Sequence, residues 1–112
     1  MSDLHKDIKI IYNNLIPFKG FTAINLFGTI FARKNAAVTS TTIFHEQIHT
    51  AQMKELLYLF FYLFYFLEWV IKLFKYGLKS YYNLSFEREA FFNQNELLYL
   101  QRRKRFAFLK YL

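Results

Sequence analysis

A chain of 112 residues supports one modest core, yet 54% of this one is hydrophobic and 22% aromatic, dominated by 15 Phe and 9 Tyr, so some of that surface meets lipid or another protein. The absence of cysteine excludes disulfides and thiolate metal sites, and leaves His and carboxylates as the ligands for any metal. A net charge of +7 suits an anionic partner; the aromatic and aliphatic excess points to a membrane lipid surface and not to nucleic acid.

Residues 1–9, MSDLHKDIK, are polar and mixed in charge. They lack the basic start, apolar stretch and small-residue cleavage site of a secretory signal, which places the expected site at the cytoplasmic face of a membrane. No repeat or Gly/Ser-rich linker divides the chain, so 1–112 reads as a single domain. Phe21–Lys34 (FTAINLFGTIFARK) is apolar and rich in aromatic and β-branched residues. It predicts one long strand, or a hairpin turning near Asn25 to Gly28. Residues 35–39 form a loop or a short strand.

Ser40, Thr41 and Thr42 offer N-cap oxygens. From Ile43 the pattern is helical and meets no Pro or Gly before Gly77, so 42–79 holds a motif helix and a hydrophobic helical region. Leu56–Leu67 is wholly apolar or aromatic. Glu68, Lys72, Lys75 and Lys79 then share one helical face, and Tyr58, Tyr62, Tyr65 and Trp69 form a second stripe suited to a water–lipid boundary. The clean run falls short of the ~20 apolar residues of a span. An in-plane or re-entrant helix pair is therefore expected; a buried core helix with a solvated charged face competes with it. Asn83 and Ser85 can cap a helix over Phe86–Glu96. A last helix is expected over Glu96–Leu112, where Arg102, Arg103, Lys104 and Arg105 beside Phe106, Phe108 and Leu109 resemble a basic segment lying on an anionic surface.

The chemistry centres on His45-Glu46-Gln47-Ile48-His49, a complete HExxH. Two His residues four apart project from one helical face, where their imidazoles can converge on a zinc ion. Glu46, beside the first His, can take a proton from a water activated by the metal and pass it to a leaving amine. A hydrolytic zinc site usually has a third protein ligand. His5 lies in the polar N-terminal stretch. Glu55 is too far along the motif helix to fold back, and Glu68 is farther still unless the helix breaks. Glu87 and Glu89 lie on a separate helix but ~200° apart, so only one can face the metal. Glu87 shares a face with Ala90 and Phe91 and is preferred; Glu89 goes with Asn93 and Glu96, a more solvated set. Gln52, one turn past His49, can brace a ligand. Tyr81, Tyr82 and Arg88 are candidate donors to the transition state, with nothing to choose among them.

HEQIH followed by Phe86-Glu87-Arg88-Glu89-Ala90 resembles the gluzincin class of zinc peptidases, whose third ligand is a Glu on a later helix. Glu87-Arg88-Glu89-Ala90 matches the Glu-x-x-Ala part of the Glu-x-x-Ala-Asp of CaaX-processing and antibiotic-sensor membrane peptidases; Phe91 stands where those have Asp. The length is similar to that of the minigluzincins, which implies an antiparallel sheet edge above the motif helix, along which a substrate strand lies. The whole reading is an α+β, mainly helical, minimal zincin. It is expected to be a zinc metallopeptidase acting on a peptide or protein substrate, with Glu46 catalytic and His45, His49 and Glu87 as metal ligands. The rival is a non-catalytic or latent zinc-binding protein held at a membrane. Binding of nucleic acid by Arg102–Arg105 is disfavoured, because those residues are not interleaved with a recognisable reading motif.

Overall fold

The structure is a computed structural model and describes residues 8–17 and 19–112; His5 lies outside them. The fold is α+β and mainly helical. β1 (Ile10–Asn13), β2 (Ala23–Leu26) and β3 (Thr29–Arg33) precede α1 (Ser40–Glu55), α2 (Leu59–Tyr76), α3 (Ser85–Asn93) and α4 (Tyr99–Arg102). Three short 3-10 turns, Gly77–Lys79, Tyr81–Asn83 and Ala107–Tyr111, complete the order.

The expected hairpin is β2 and β3, but the sheet is mixed. Its order is β1-β3-β2, with β2 antiparallel and β1 parallel to β3. Alternation along β3 buries Ile30 and Ala32. The hairpin turns at Phe27-Gly28, both left-handed (φ 53° and 93°), the geometry of a two-residue primed turn. Phe27 is no natural occupant of that region. It is held by the Tyr62 hydroxyl, which accepts from its amide at 2.9 Å, and by the Tyr62 ring at 5.0 Å. Asn25, placed near the turn from sequence, sits inside β2 and ties the hairpin to α1. Its amide donates to the Glu46 carbonyl at 2.8 Å and to Thr50 Oγ1 at 2.7 Å, while Oδ1 accepts from Gly28 N–H at 2.9 Å.

α1 starts earlier than the sequence suggested. Thr39 is the N-cap, and it exchanges hydrogen bonds with Thr42 in a capping box. The helix does not run on to Gly77. It ends at Glu55; Leu57 and Tyr58 take positive φ angles (55° and 60°), and the chain resumes at 108° to its former course. No Gly marks this break. It is stabilised by what it packs: Met53, Phe61, Phe86 and Phe108 form the main core, joined by half-buried Leu56, Tyr58, Tyr62 and Tyr65. A smaller cluster of Ile48, Ala90 and Tyr99 fastens α3 across α1. Among the described residues no single helix is long and apolar enough to cross a membrane; the bent pair passes that test only when taken together.

Neither Asn83 nor Ser85 caps α3 with its own side chain. The cap comes from α2: Glu68 accepts from Ser85 N–H at 2.7 Å and from Ser85 Oγ at 2.6 Å, an anion at a helix N-terminus. The charged stripe expected to face solvent is thus partly turned inward.

The last helix is also corrected. Only Tyr99–Arg102 is helical before the chain turns into the 3-10 segment, because Arg103 is drawn inside instead of lying on a surface. It grips Glu55 with both terminal nitrogens, at 2.9 and 3.1 Å, and reaches Glu89 through Nε and Nη2. Glu89, expected on a solvated face, is fully buried. It accepts there from Arg103, Tyr99 Oη and Gln52 Nε2. Replacing Arg103 by Leu strands two carboxylates in the interior, which is expected to lower stability by about 3–5 kcal/mol. Urea denaturation followed by circular dichroism reads this directly; a loss below about 1 kcal/mol would show that the clamp is not structural.

Candidate metal centre

The four-residue spacing on α1 brings His45 and His49 to one face, with Nε2 atoms 3.2 Å apart. α3 crosses above them and delivers Glu87 Oε1 to 3.1 Å from each Nε2. All three residues are buried, and they form a group that could hold a metal ion. The near-equilateral triangle approaches the ~3.3 Å edge of a tetrahedron whose ligands sit ~2.0–2.1 Å from the centre. Of the two carboxylates weighed on α3, the structure brings Glu87 to the His pair and turns Glu89 to the opposite side.

The outer nitrogens decide which way each imidazole offers its lone pair. Gln52 Nε2 donates to the Phe86 carbonyl at 3.0 Å and to Glu89 Oε1 at 2.9 Å, both pure acceptors. The Gln52 amide is thereby oriented, and its Oε1 accepts from His49 Nδ1 at 2.8 Å. With its proton on Nδ1, neutral His49 turns an unprotonated Nε2 toward Glu87 and His45. His45 Nδ1 pairs in the same way with Gln94 Oε1 at 2.7 Å. The Phe91 ring lies on the His45 imidazole at 4.5 Å. Gln94, absent from the sequence reading, braces His45; its position two helical turns after Glu87 was the available signal.

The electrostatics follow from burial. Burial by itself would lower the His49 pKa, but the Glu87 carboxylate and the hydrogen bonds to Glu87 and Gln52 outweigh it and hold it at about 9. Burial would raise Glu87, yet His49 and the bonds from both imidazoles keep its carboxyl well below the usual range. Burial pushes Glu46 up, against the opposing pull of the two imidazoles. Tyr65 Oη donates to Glu87 Oε2 at 2.6 Å, and burial holds its hydroxyl protonated. Tyr81 stands beside Glu87 with its pKa raised for the same reason. Tyr82 and Arg88, the other two donor candidates, are exposed. Of the tyrosine and tryptophan stripe expected at a water–lipid boundary, Tyr62 and Tyr65 turn inward to the hairpin and the site.

Glu46, His49 and Glu87 line one wall of a cavity of about 540 Å³ with Tyr81. The remaining walls are apolar, from Ile16, Phe21, Ile24 and Phe61 among others. Its floor includes β2, an edge strand. In a two-residue hairpin the ladder bonds fall at Leu26–Thr29 and Ile24–Phe31, so the backbones of Ala23 and Asn25 point outward. Consistent with this, the Asn25 carbonyl accepts from Tyr62 Oη at 3.2 Å. No protein-family model, curated protein or solved structure matches the chain.

The chemistry of the donor set fits a divalent metal: two imidazole nitrogens and one carboxylate oxygen converge with their lone pairs. Removing one brace tests the arrangement. Gln94→Leu is expected to weaken divalent-metal binding about 10–100-fold with the fold intact. Competition against a chromophoric chelator measures it, and unchanged affinity would deny Gln94 any part in the site. A second expectation concerns pH. The His49 pKa is raised from 6.5 to about 9, so its ion pair stabilises the metal-free fold fully below pH 6.5 and is lost as pH rises through about 9. A metal must displace that proton, so divalent-metal affinity should climb about tenfold per pH unit from pH 6.5 toward 9 and then level off. Titrations at fixed ionic strength check this; a flat profile would contradict the His49–Glu87 coupling.

Proposed function

We propose that this protein is a zinc-dependent metallopeptidase. The observation that carries the reading is the buried triangle of His45 Nε2, His49 Nε2 and Glu87 Oε1, with sides of 3.1, 3.1 and 3.2 Å, opening beside Glu46 onto a cavity. The metal is assigned as zinc because nitrogen and carboxylate donors without thiolate suit it best. Zinc held there supplies a Lewis acid that polarises a carbonyl and makes water acidic near neutral pH.

The chain's own residues do the rest. An extended peptide adds to β2, bonding the outward backbone groups of Ala23 and the Asn25 N–H, with apolar side chains seated among Ile16, Phe21 and Ile24. This directs its scissile carbonyl across the face shared by His49, Glu87 and Tyr81. Glu46 accepts the proton of the attacking water as the new carbon–oxygen bond forms. It returns that proton to the amide nitrogen as the carbon–nitrogen bond breaks. The burial that raises its pKa favours the second half of this exchange. Tyr81, protonated and on the cavity wall, donates to the oxygen on which negative charge develops.

Glu46→Gln keeps the shape and removes the base. It is expected to leave zinc content unchanged, by elemental mass spectrometry, and to reduce hydrolysis of a fluorogenic peptide pool by about 10²–10⁴-fold. A zinc-loaded wild type with no hydrolysis, or one matched by Glu46→Gln, would overturn the peptidase reading in favour of a non-catalytic zinc protein.

A further inference from the structure

α2 is built inside out. Its mid-helix charges point into the protein and are satisfied there: Glu68 caps α3, and Lys72 pairs with Glu68 at 2.7 Å and donates to the Asn83 carbonyl. The outward side carries Leu59, Leu63, Phe66 and Phe74 in one line and Leu67 and Ile71 in the next, all exposed, with Phe74 91% accessible. Among the described residues of α2, Lys75 in the last turn is the one exposed charge. The face runs the helix's ~27 Å. It continues into an apolar groove against the C-terminal segment, lined by Leu67, Ile71, Phe106 and Leu109.

The surface charge around it has one sign. Glu46, Glu55, Glu68, Glu87 and Glu89 are all drawn wholly or partly inside. Among the described residues Glu96 is the one exposed carboxylate side chain, and it is paired with Arg102. Lys75, Lys79, Lys104, Arg105 and Lys110 remain exposed, and Arg105 lies over the groove residue Phe106, 5.2 Å from its ring centre. An apolar helix face rimmed by cations matches a lipid surface bearing negative headgroups. A second copy of a chain of charge +7 would bring like charges together, and a nucleic acid has no use for the apolar face.

We propose that the outward face of α2 lies in the plane of an anionic bilayer, with Leu63, Ile71 and Phe74 in the acyl boundary and Lys75, Lys79 and Arg105 at the phosphates. Trp69, the single tryptophan, is exposed beside this face and reports on it. The proposal does not depend on hydrolysis, and binding is read without any substrate.

The test is flotation of the full chain with vesicles of phosphatidylcholine alone and of phosphatidylcholine with one quarter phosphatidylglycerol. Trp69 fluorescence and its quenching by brominated acyl chains are followed alongside. Wild type is expected to bind the anionic vesicles at least tenfold more tightly, with a blue shift and quenching. Leu63→Glu/Phe74→Glu should lose at least tenfold in binding while keeping its circular dichroism and zinc content. If the double variant fails to fold, Phe74→Glu alone, at a nearly fully exposed position, carries the same expectation. Binding to neither vesicle, equal binding to both, or an unaffected folded variant would overturn the proposal. So would a vesicle-free dimer that the same substitutions dissociate, because a second copy would then cover the face.

Discussion

Two residues set the shape of everything near the metal centre. Leu57 and Tyr58 adopt positive φ angles without the freedom of glycine, and turn the chain by 108°. In an unbroken helix Tyr65 would stand about 24 Å farther along the axis than His49. After the turn its hydroxyl is 2.6 Å from Glu87, which is itself 3.1 Å from His49. The same reversal places Phe61 against Phe86, 5.0 Å between ring centres, and brings Glu68 to the start of α3. The helix carrying Glu87 is thus capped and packed by residues that a straight helix would have carried away.

α3 then divides the buried charge of the interior between its two sides. Glu87 faces the imidazoles and Glu89, ~200° around the helix, faces Arg103. Each carboxylate is matched to cationic or hydrogen-bonding partners, as low-dielectric surroundings require. Gln52 joins the two halves, with its oxygen toward His49 and its nitrogen toward Glu89. The orientation of a prospective metal ligand is therefore fixed by an ion pair that reaches through Arg103 to Glu55, at the far end of α1.

The sequence made the site more legible than the chain's path. HExxH spacing is a property of one helix turn, and it is preserved wherever that helix goes; Glu87 followed from its small, apolar neighbours. The hairpin was visible because β-branched alternation and Gly28 are local signals. What escaped was decided by contacts between distant residues. The break at 57–58 has no Gly or Pro to announce it. β1 carries a local strand signal in Ile10, Ile11 and Tyr12 that the sequence reading passed over, and its parallel pairing with β3 is a contact between distant residues. The expected C-terminal helix is interrupted because Arg103 gains more from two buried carboxylates than from another helical turn. Helical spacing correctly grouped Glu68 with Lys72 and Tyr62 with Tyr65. It could not tell which side of the helix the protein would claim; the interior took the side with Phe61, Tyr65, Glu68 and Lys72 and left Leu63, Leu67, Ile71 and Phe74 outside.

Phe91 has a chemical consequence of its own. It places an apolar ring edge beside His45 and no hydrogen-bonding group. Here both imidazoles give their Nδ1 protons to neutral amides, Gln52 and Gln94, and Phe91 contributes only its ring edge. An amide fixes the tautomer as a carboxylate does, but it raises the basicity of the imidazole less. A divalent ion held by this group would keep a net charge of about +1 beside Glu87, with neutral amides behind both imidazoles. Buried Phe61, 6.1 Å from the His49 ring, would strengthen that residual charge. An amide-braced site would therefore give up some affinity for a metal and leave a bound ion a stronger electrophile toward whatever oxygen the cavity presents.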